Sequence, residues 1–218
     1  MLDKVSPLRI AAAAAMVLAA IRLRSSSASA PRGPSVRLVD GVPLARGGAP
    51  TWPVLTKHPQ RFEVGHVTLA GEKVGNQSRR FGASRDGRHH AGVDLYGYEG
   101  DVVVAAEPGV VTAVDPSWHL GAGALYLFTD SGLTLNYGEV ASGSWAAFGI
   151  GPGSRVARGQ KLARIGCMRH GDDGGCESHM LHFETYQGRR TTNIRWMSGA
   201  AAPAELRDPT AYLLRAAR

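Results

Sequence analysis

Arg88-His89-His90-Ala91-Gly92-Val93-Asp94-Leu95 is the stretch from which the rest of the chain can be organised. His90 and Asp94 stand four apart with a glycine midway. On a β-strand the side chains alternate, so positions 90, 92 and 94 share one face. That face carries an imidazole, a gap where Gly92 has no side chain, and a carboxylate. Nitrogen and oxygen donors suit zinc, which needs at least one further protein ligand. Taken alone, His-x-x-x-Asp equally describes a surface turn. A third ligand has to come from elsewhere, and the segment His179-Met180-Leu181-His182-Phe183-Glu184 offers the candidates.

Composition sets the class around this stretch. A chain of 218 residues suits one domain of ordinary size plus appendages. With 44% hydrophobic residues it can form a core, while 28 Gly and 12 Pro favour tight turns over long helices. The net charge of +7 fits an anionic partner: nucleic acid, a membrane surface or a cell wall. No Lys/Arg stripe interleaved with aromatics is present, so no nucleic-acid partner is expected. A modest positive excess also describes a solvated surface.

Part of that charge lies at the N-terminus. Lys4 and Arg9 precede an apolar run from Ile10 to Ile21, and Ala28-Ser29-Ala30 is a small-residue cleavage pattern. This is the layout of a secretory signal peptide, and the run falls short of the about 20 residues a membrane span needs. Arg22 and Arg24 between the run and the cleavage pattern leave a second reading, an uncleaved anchor. Residues 1–30 are thus expected to be a signal peptide or N-terminal membrane anchor. The expected location is secreted, periplasmic or cell-envelope, with membrane contact only through this segment. Cleavage would remove Lys4, Arg9, Arg22 and Arg24 against Asp3, which weakens the electrostatic case. The two cysteines, Cys167 and Cys176, bracket a glycine-rich loop. In an oxidising compartment they can close it as a disulfide; the rival reading is a metal pair with His170, whose spacing fits no compact zinc knuckle.

Residues 31–58, rich in Pro, Gly and Arg, read as a flexible linker or arm, leaving 59–218 as the folded domain. Beyond Arg61 the pattern is short strands with turn punctuation. Phe62 to Leu69 alternates weakly. Asp101–Ala106 and Val110–Val114 flank Glu107-Pro108-Gly109 as an expected hairpin, and Leu125–Thr129 and Leu133–Tyr137 flank Asp130-Ser131-Gly132 as another. Val156 to Ile165 reads as strand, turn and strand, and His179 to Tyr186 as the strand that closes the sheet. The spacing predicts an antiparallel all-β domain. Asp208-Pro209-Thr210 is a helix start leading into Ala211–Ala217, with Tyr212 placed to pack on the sheet.

In order, the chain contains Phe81-Gly82, Arg88-x-His90-x-Gly92-Val93-Asp94, Val104-x-Ala106-x-Pro108-Gly109-x-Val111, Val156-x-x-Gly159-Gln160-x-Leu162 with Ile165-Gly166, and Leu181-His182-Phe183-Glu184. Together these resemble the lysostaphin/LytM-type zinc endopeptidases, which cut peptide cross-bridges of bacterial peptidoglycan. The resemblance covers about Phe81 to Tyr186, with a looser echo through Asp208-Pro209 to Leu213. It implies a mainly β fold: a small antiparallel sheet domain of the duplicated-hybrid-motif, barrel- or sandwich-like kind, with a short C-terminal helix. It also implies one Zn2+ per chain, held by His90, Asp94 and His182 with water in the fourth position. Arg88 and Glu184 match family positions that support the site from behind the ligands, though Glu184 equally reads as a solvated strand residue.

The sequence departs from the family pattern twice. Tyr137-Gly138-Glu139 stands where the family usually has Tyr-x-His, and Met180-Leu181-His182 where it usually has His-x-His. These replaced histidines are the ones that handle the proton and the developing oxyanion. The paired change resembles a subgroup with the same Tyr-Gly-Glu and Met-Leu-His. A carboxylate at Glu139 can serve as general base, whereas the Met180 thioether has no proton to donate. His179 falls on the face opposite His182 by strand alternation, and His89 points away from His90. His58, His66 and His119, without partners at ligand spacing, read as surface residues. The expected function is a zinc-dependent endopeptidase acting on peptidoglycan peptides or another cell-wall polymer. The alternative is a catalytically degenerate zinc-binding domain of the same fold that binds cell wall or a partner protein; an interaction domain with an empty metal site is a third reading.

Overall fold

The computed structural model describes residues 38–39, 42–43, 48–57, 76–169 and 176–216. The leader and anchor readings of residues 1–30, the alternation at Phe62–Leu69, and His58, His66 and His170 lie outside the described residues. No helix among the described residues is long and apolar enough to cross a membrane.

Among the described residues sixteen strands follow in order. They are β1 Leu38–Val39, β2 Val42–Pro43, β3 Val54–Leu55, β4 Ser84–Arg85, β5 Arg88–His89, β6 Val93–Tyr96, β7 Val102–Val104 and β8 Gly109–His119. Then come β9 Ala122–Thr129, β10 Leu133–Ala141, β11 Arg155–Val156, β12 Lys161–Arg164, β13 Met168–Arg169, β14 Cys176–Ser178, β15 Met180–Gln187 and β16 Leu206–Arg207. A short helix, α1, covers Thr210–Leu214. The main sheet runs β11-β8-β9-β10-β15-β16, with β6 also on β15, and a three-stranded sheet runs β12-β7-β3. Every pairing in these two sheets is antiparallel. The mainly β antiparallel domain with a short C-terminal helix is as expected.

The period of two sorts the residues of the central strands. Leu133, Leu135 and Tyr137 of β10, Leu125 and Leu127 of β9, Leu181 and Phe183 of β15, and Val93 and Leu95 of β6 all enter one core. The alternate residues Asn136, His182, Glu184 and Asp94 are also buried, but on the opposite face, where the polar site lies. Each large apolar side chain buried this way contributes about 1.5–3 kcal/mol, enough to impose the register. Tyr137 ties this sheet to its neighbour by accepting a hydrogen bond at its hydroxyl from the Ala106 amide (2.9 Å). Tyr212 of α1 stacks on Phe183, and Asp208 accepts from the Thr210 amide (2.8 Å) at the helix start.

Three expectations need correction. Residues 101–106 and 110–114 do not form a hairpin. β7 pairs with β12 and β3, whereas β8 pairs with β9 and β11. The Ala105–Pro108 corner, pinned by Tyr137, passes the chain from one sheet to the other, and β8 runs on to His119 to make its hairpin with β9. Second, the arm at 31–58 is not irregular at its C-terminal end. Trp52 and Val54 enter the core, and β3 adds to β7; the surrounding prolines and glycines hide these apolar residues from a reading by composition. Third, β15 does not close the sheet. One edge takes β10, and the other is shared by β6 and β16.

Candidate metal centre

His182 of β15 lies directly opposite Asp94 of β6 on one side and Gly138 of β10 on the other. Directly paired residues of neighbouring strands project to the same face, so this register alone brings Asp94 to His182 across 88 residues of sequence. His90 arrives differently. It lies between β5 and β6 rather than on a strand, held by reciprocal backbone bonds to the loop before it, Gly82 N to His90 O and His90 N to Ala83 O, each 2.8 Å. The expectation that 90, 92 and 94 line one strand face is therefore wrong in detail. Nor is the space above Gly92 where a metal would sit. A Cβ there would lie 2.4 Å from the Phe183 carbonyl oxygen and 3.0 Å from His182 Nε2. The missing side chain lets β15 close onto this segment, and the ligand atoms meet beside it.

Those atoms form a tight triangle: His90 Nε2 to Asp94 Oδ1 is 3.0 Å, His90 Nε2 to His182 Nδ1 is 3.1 Å, and His182 Nδ1 to Asp94 Oδ1 is 2.9 Å. Each imidazole is anchored at its other nitrogen. His90 Nδ1 donates to the Arg80 carbonyl (2.8 Å), and His182 Nε2 donates to Glu184 Oε1 (3.0 Å). Glu184 in turn accepts from Asn136 Nδ2 (2.6 Å) and the Tyr186 hydroxyl (2.7 Å). With those protons committed outward, His90 Nε2 presents a lone pair toward the Asp94 oxygen, and His182 Nδ1 would present another at the same point on giving up its second proton. A His, His, Asp donor set with carboxylate or carbonyl support behind each imidazole is what a divalent ion requires. These three residues could hold a metal ion.

The charges balance accordingly. Burial works against the Asp94 carboxylate, but the His182 and His90 imidazoles beside it outweigh this and hold the group well below the usual carboxylate range. Burial likewise opposes the charged form of His182, and its bonds to Asp94 and Glu184 overcome this, lifting it to about 10. For His90 burial wins, and its pKa is lowered.

Glu139 enters by a bulge. The register between β10 and β9 shifts between Gly138 and Val140, leaving Glu139 as the extra residue, with φ of 61°. A left-handed backbone at a non-glycine residue is strained and persists only when the surroundings enforce it. Here the Gly166 amide donates to the Glu139 carbonyl (2.8 Å) from the other side. The side chain lines the same groove as the three ligands. It is buried, and its Oε2 has no hydrogen-bond partner among the described residues. Burial, reinforced by the negative charge of Asp94, pushes Glu139 up to about 8.

The groove has a volume of about 410 Å³. Trp118, His119, Met168, Met180, Ile194 and Trp196 contribute to its walls. Trp118 packs beside His182 with ring centres 5.3 Å apart. It can do so because position 138 is glycine: a Cβ there would stand 2.8 Å from the indole. Residues 193–196 form a further wall, docked where the His89 amide donates to the Trp196 carbonyl (2.7 Å). His89, expected to point away from His90, lines the same groove and packs on Trp196, and His179 is exposed beside Tyr98. Cys167 and Cys176 are joined as a disulfide, so neither sulfur is left for the alternative metal pair. Arg88 lines the groove, but the hydrogen bond to a ligand comes from Arg85, whose Nη2 donates to Asp94 Oδ2 at 3.0 Å. Arg85, Trp118, Asn136 and Tyr186 escaped the sequence reading. For Arg85 the available signal was Asp86-Gly87, a turn pair that makes Ser84–His89 a hairpin.

Residues 88–194 match the model of peptidase family M23. No curated protein matches in sequence. Among solved structures, Helicobacter pylori Csd3 is 19% identical with a TM-score of 0.41, the match covering 71% of this chain and 36% of that one. The catalytic domain of the antimicrobial peptidase lysostaphin from Staphylococcus simulans is 19% identical with a TM-score of 0.41, covering 57% of this chain and 79% of that one. A zinc-containing peptidase from Vibrio cholerae is 22% identical with a TM-score of 0.36, covering 69% and 37% respectively. The chain thus spans well under half of the Csd3 chain.

Proposed function

Taking as premise that residues 88–194 belong to peptidase family M23, we propose that this protein is a zinc-dependent endopeptidase that hydrolyses peptide cross-links of bacterial peptidoglycan. The observation that carries the reading is the convergence of His90 Nε2, Asp94 Oδ1 and His182 Nδ1 within 3.1 Å of one another at the floor of an open groove lined by Glu139. A zinc ion held by these atoms would polarise the scissile carbonyl and lower the pKa of the attacking water.

The chain's own groups divide the rest of the work. Glu184, fixed by Asn136 and Tyr186, keeps the His182 imidazole in one tautomer and raises its basicity as a ligand. Glu139 takes the proton of the attacking water as the C–O bond forms. It returns that proton to the amide nitrogen as the C–N bond breaks. Burial beside Asp94 raises its proton affinity in the metal-free site, and a bound dication would favour the ionised carboxylate that takes the first proton. Trp118 and Trp196 form walls against which a peptide can lie. The experiment is release of new amino groups from cross-linked wall material by the zinc-loaded protein, compared with Glu139→Gln.

A second reading keeps the ion but not the chemistry: a degenerate domain that binds wall peptides or a partner protein. The buried thioether of Met180 in the groove favours it, since that side chain supplies no proton. Zinc-loaded protein that binds wall material without cleaving it would select this reading.

A further inference from the structure

Hydrolysis of a peptide bond needs more than a base. As water adds to the carbonyl carbon, the C=O electron pair moves onto oxygen, and a positioned donor must meet that charge. Neither Glu139 as a carboxylate nor Met180 can do so. A donor that the chain itself adds to a bound metal ion must therefore lie elsewhere in the groove. Arg85 meets the geometric requirements. It is carried on the β4–β5 hairpin, in register with Arg88, and lines the groove. Its side chain is 29% exposed, while the Asp94 carboxylate it binds is 5% exposed. Asp94 offers Oδ1 to the two imidazoles and Oδ2 to the guanidinium. Arg85 thus stands at the edge of the ligand cluster rather than out on the rim. A guanidinium carries five N–H donors in a rigid fork, and the bond to Asp94 uses one.

The competing cations are less suited. Arg79 lies over the Tyr96 ring at 4.1 Å. Arg195 is exposed, and Arg88 and Arg195 line the groove without a hydrogen bond to a ligand among the described residues. On the peptidase reading above, we propose that Arg85 is the oxyanion-stabilising residue: anchored on Asp94 by one nitrogen, it donates to the scissile carbonyl oxygen through its remaining N–H groups. The water oxygen bonds to carbon, its proton goes to Glu139, and the carbonyl electron pair rests on the oxygen facing Arg85. Collapse restores C=O, breaks C–N and passes the Glu139 proton to the leaving amine.

Arg85→Lys separates this role from mere support of Asp94, because an ammonium keeps a point contact to Oδ2 but loses the fork. The measurements are kcat and KM on a cross-linked wall peptide, zinc content, and affinity for a tetrahedral phosphinic peptide analogue. The expected result is kcat down about 100-fold with KM changed less than about threefold. Zinc content stays at the wild-type level, and phosphinate affinity falls in parallel with kcat. Wild-type kcat in Arg85→Lys, or a loss fully restored by added zinc, would overturn the proposal and leave the peptidase reading standing. A zinc-loaded wild type that cleaves nothing removes that reading and this proposal together.

Discussion

Replacing Glu139 with glutamine should damage turnover and stabilise the metal-free fold at the same time. The carboxyl is buried beside Asp94 with one oxygen lacking a partner, and its pKa is pushed from 4.5 up to about 8. In the unfolded chain it ionises near its ordinary value. Above pH 4.5 the folded protein therefore holds a proton that the unfolded chain has released, and stability declines with rising pH until the folded group also ionises near 8. A tenfold difference in proton affinity between the two states is worth about 1.4 kcal/mol. Shared with the neighbouring Asp94 and His182, this leaves roughly 2–4 kcal/mol lost across that pH range. Glutamine keeps the shape and cannot ionise, so the penalty disappears. In thermal unfolding with a chelator present, Glu139→Gln should exceed wild type by roughly 5–10 °C at about pH 8.5 and by little at about pH 5. With zinc restored, the same variant should lose turnover by about 100- to 10,000-fold. Equal melting temperatures at both pH values, or turnover that survives, would refute the reasoning.

Other predictions follow from the ligands' surroundings. Zinc must displace the proton that His182 retains up to about pH 10, so apparent affinity should rise about tenfold per pH unit between about 6 and 8.5; chelator competition that gives a flat profile would contradict this. Glu184→Ala releases His182 Nε2 and strands Asn136 and Tyr186, and should weaken zinc binding by about 10- to 100-fold with the fold retained by circular dichroism. Gly92→Ala places a methyl 2.4 Å from the Phe183 carbonyl oxygen, forcing β6 and β15 apart. It should cost about 1–3 kcal/mol in urea unfolding and weaken zinc binding, whereas Gly121→Ala, where a Cβ meets nothing within 4 Å, should not affect zinc.

The parts of the site legible in sequence are those that follow from chemistry at short range or from strand alternation. His90 and Asp94 advertise a donor pair four apart, and the period of two in Leu181-His182-Phe183-Glu184 assigns His182 and Glu184 to one face. The packing between segments is not legible in the same way. Nothing in Tyr137-Gly138-Glu139 announces a bulge, since a glutamate at φ 61° runs against local preference and is imposed by Gly166 and the shifted register with β9. Arg88 is nearer in sequence to the ligands than Arg85, yet the hairpin turn at Asp86-Gly87 reverses the chain and makes Arg85 the one that reaches Asp94. Likewise, a valine run before a turn looks like half of a hairpin, but β7 pairs with β12 and β3 and β8 with β9 and β11, and the Tyr137 bond to Ala106 lies at the corner where they part. The burial of Trp52 is hidden by the prolines and glycines around it.

The central claim is that His90, Asp94 and His182 act together as the ligands of one divalent ion. Elemental analysis of the purified protein, after dialysis against zinc and then against metal-free buffer, tests it most directly when wild type is compared with His182→Ala. The account predicts about one zinc per chain in the wild type and nearly none in the variant. A wild type that retains no metal, or a variant that retains as much as the wild type, would contradict it.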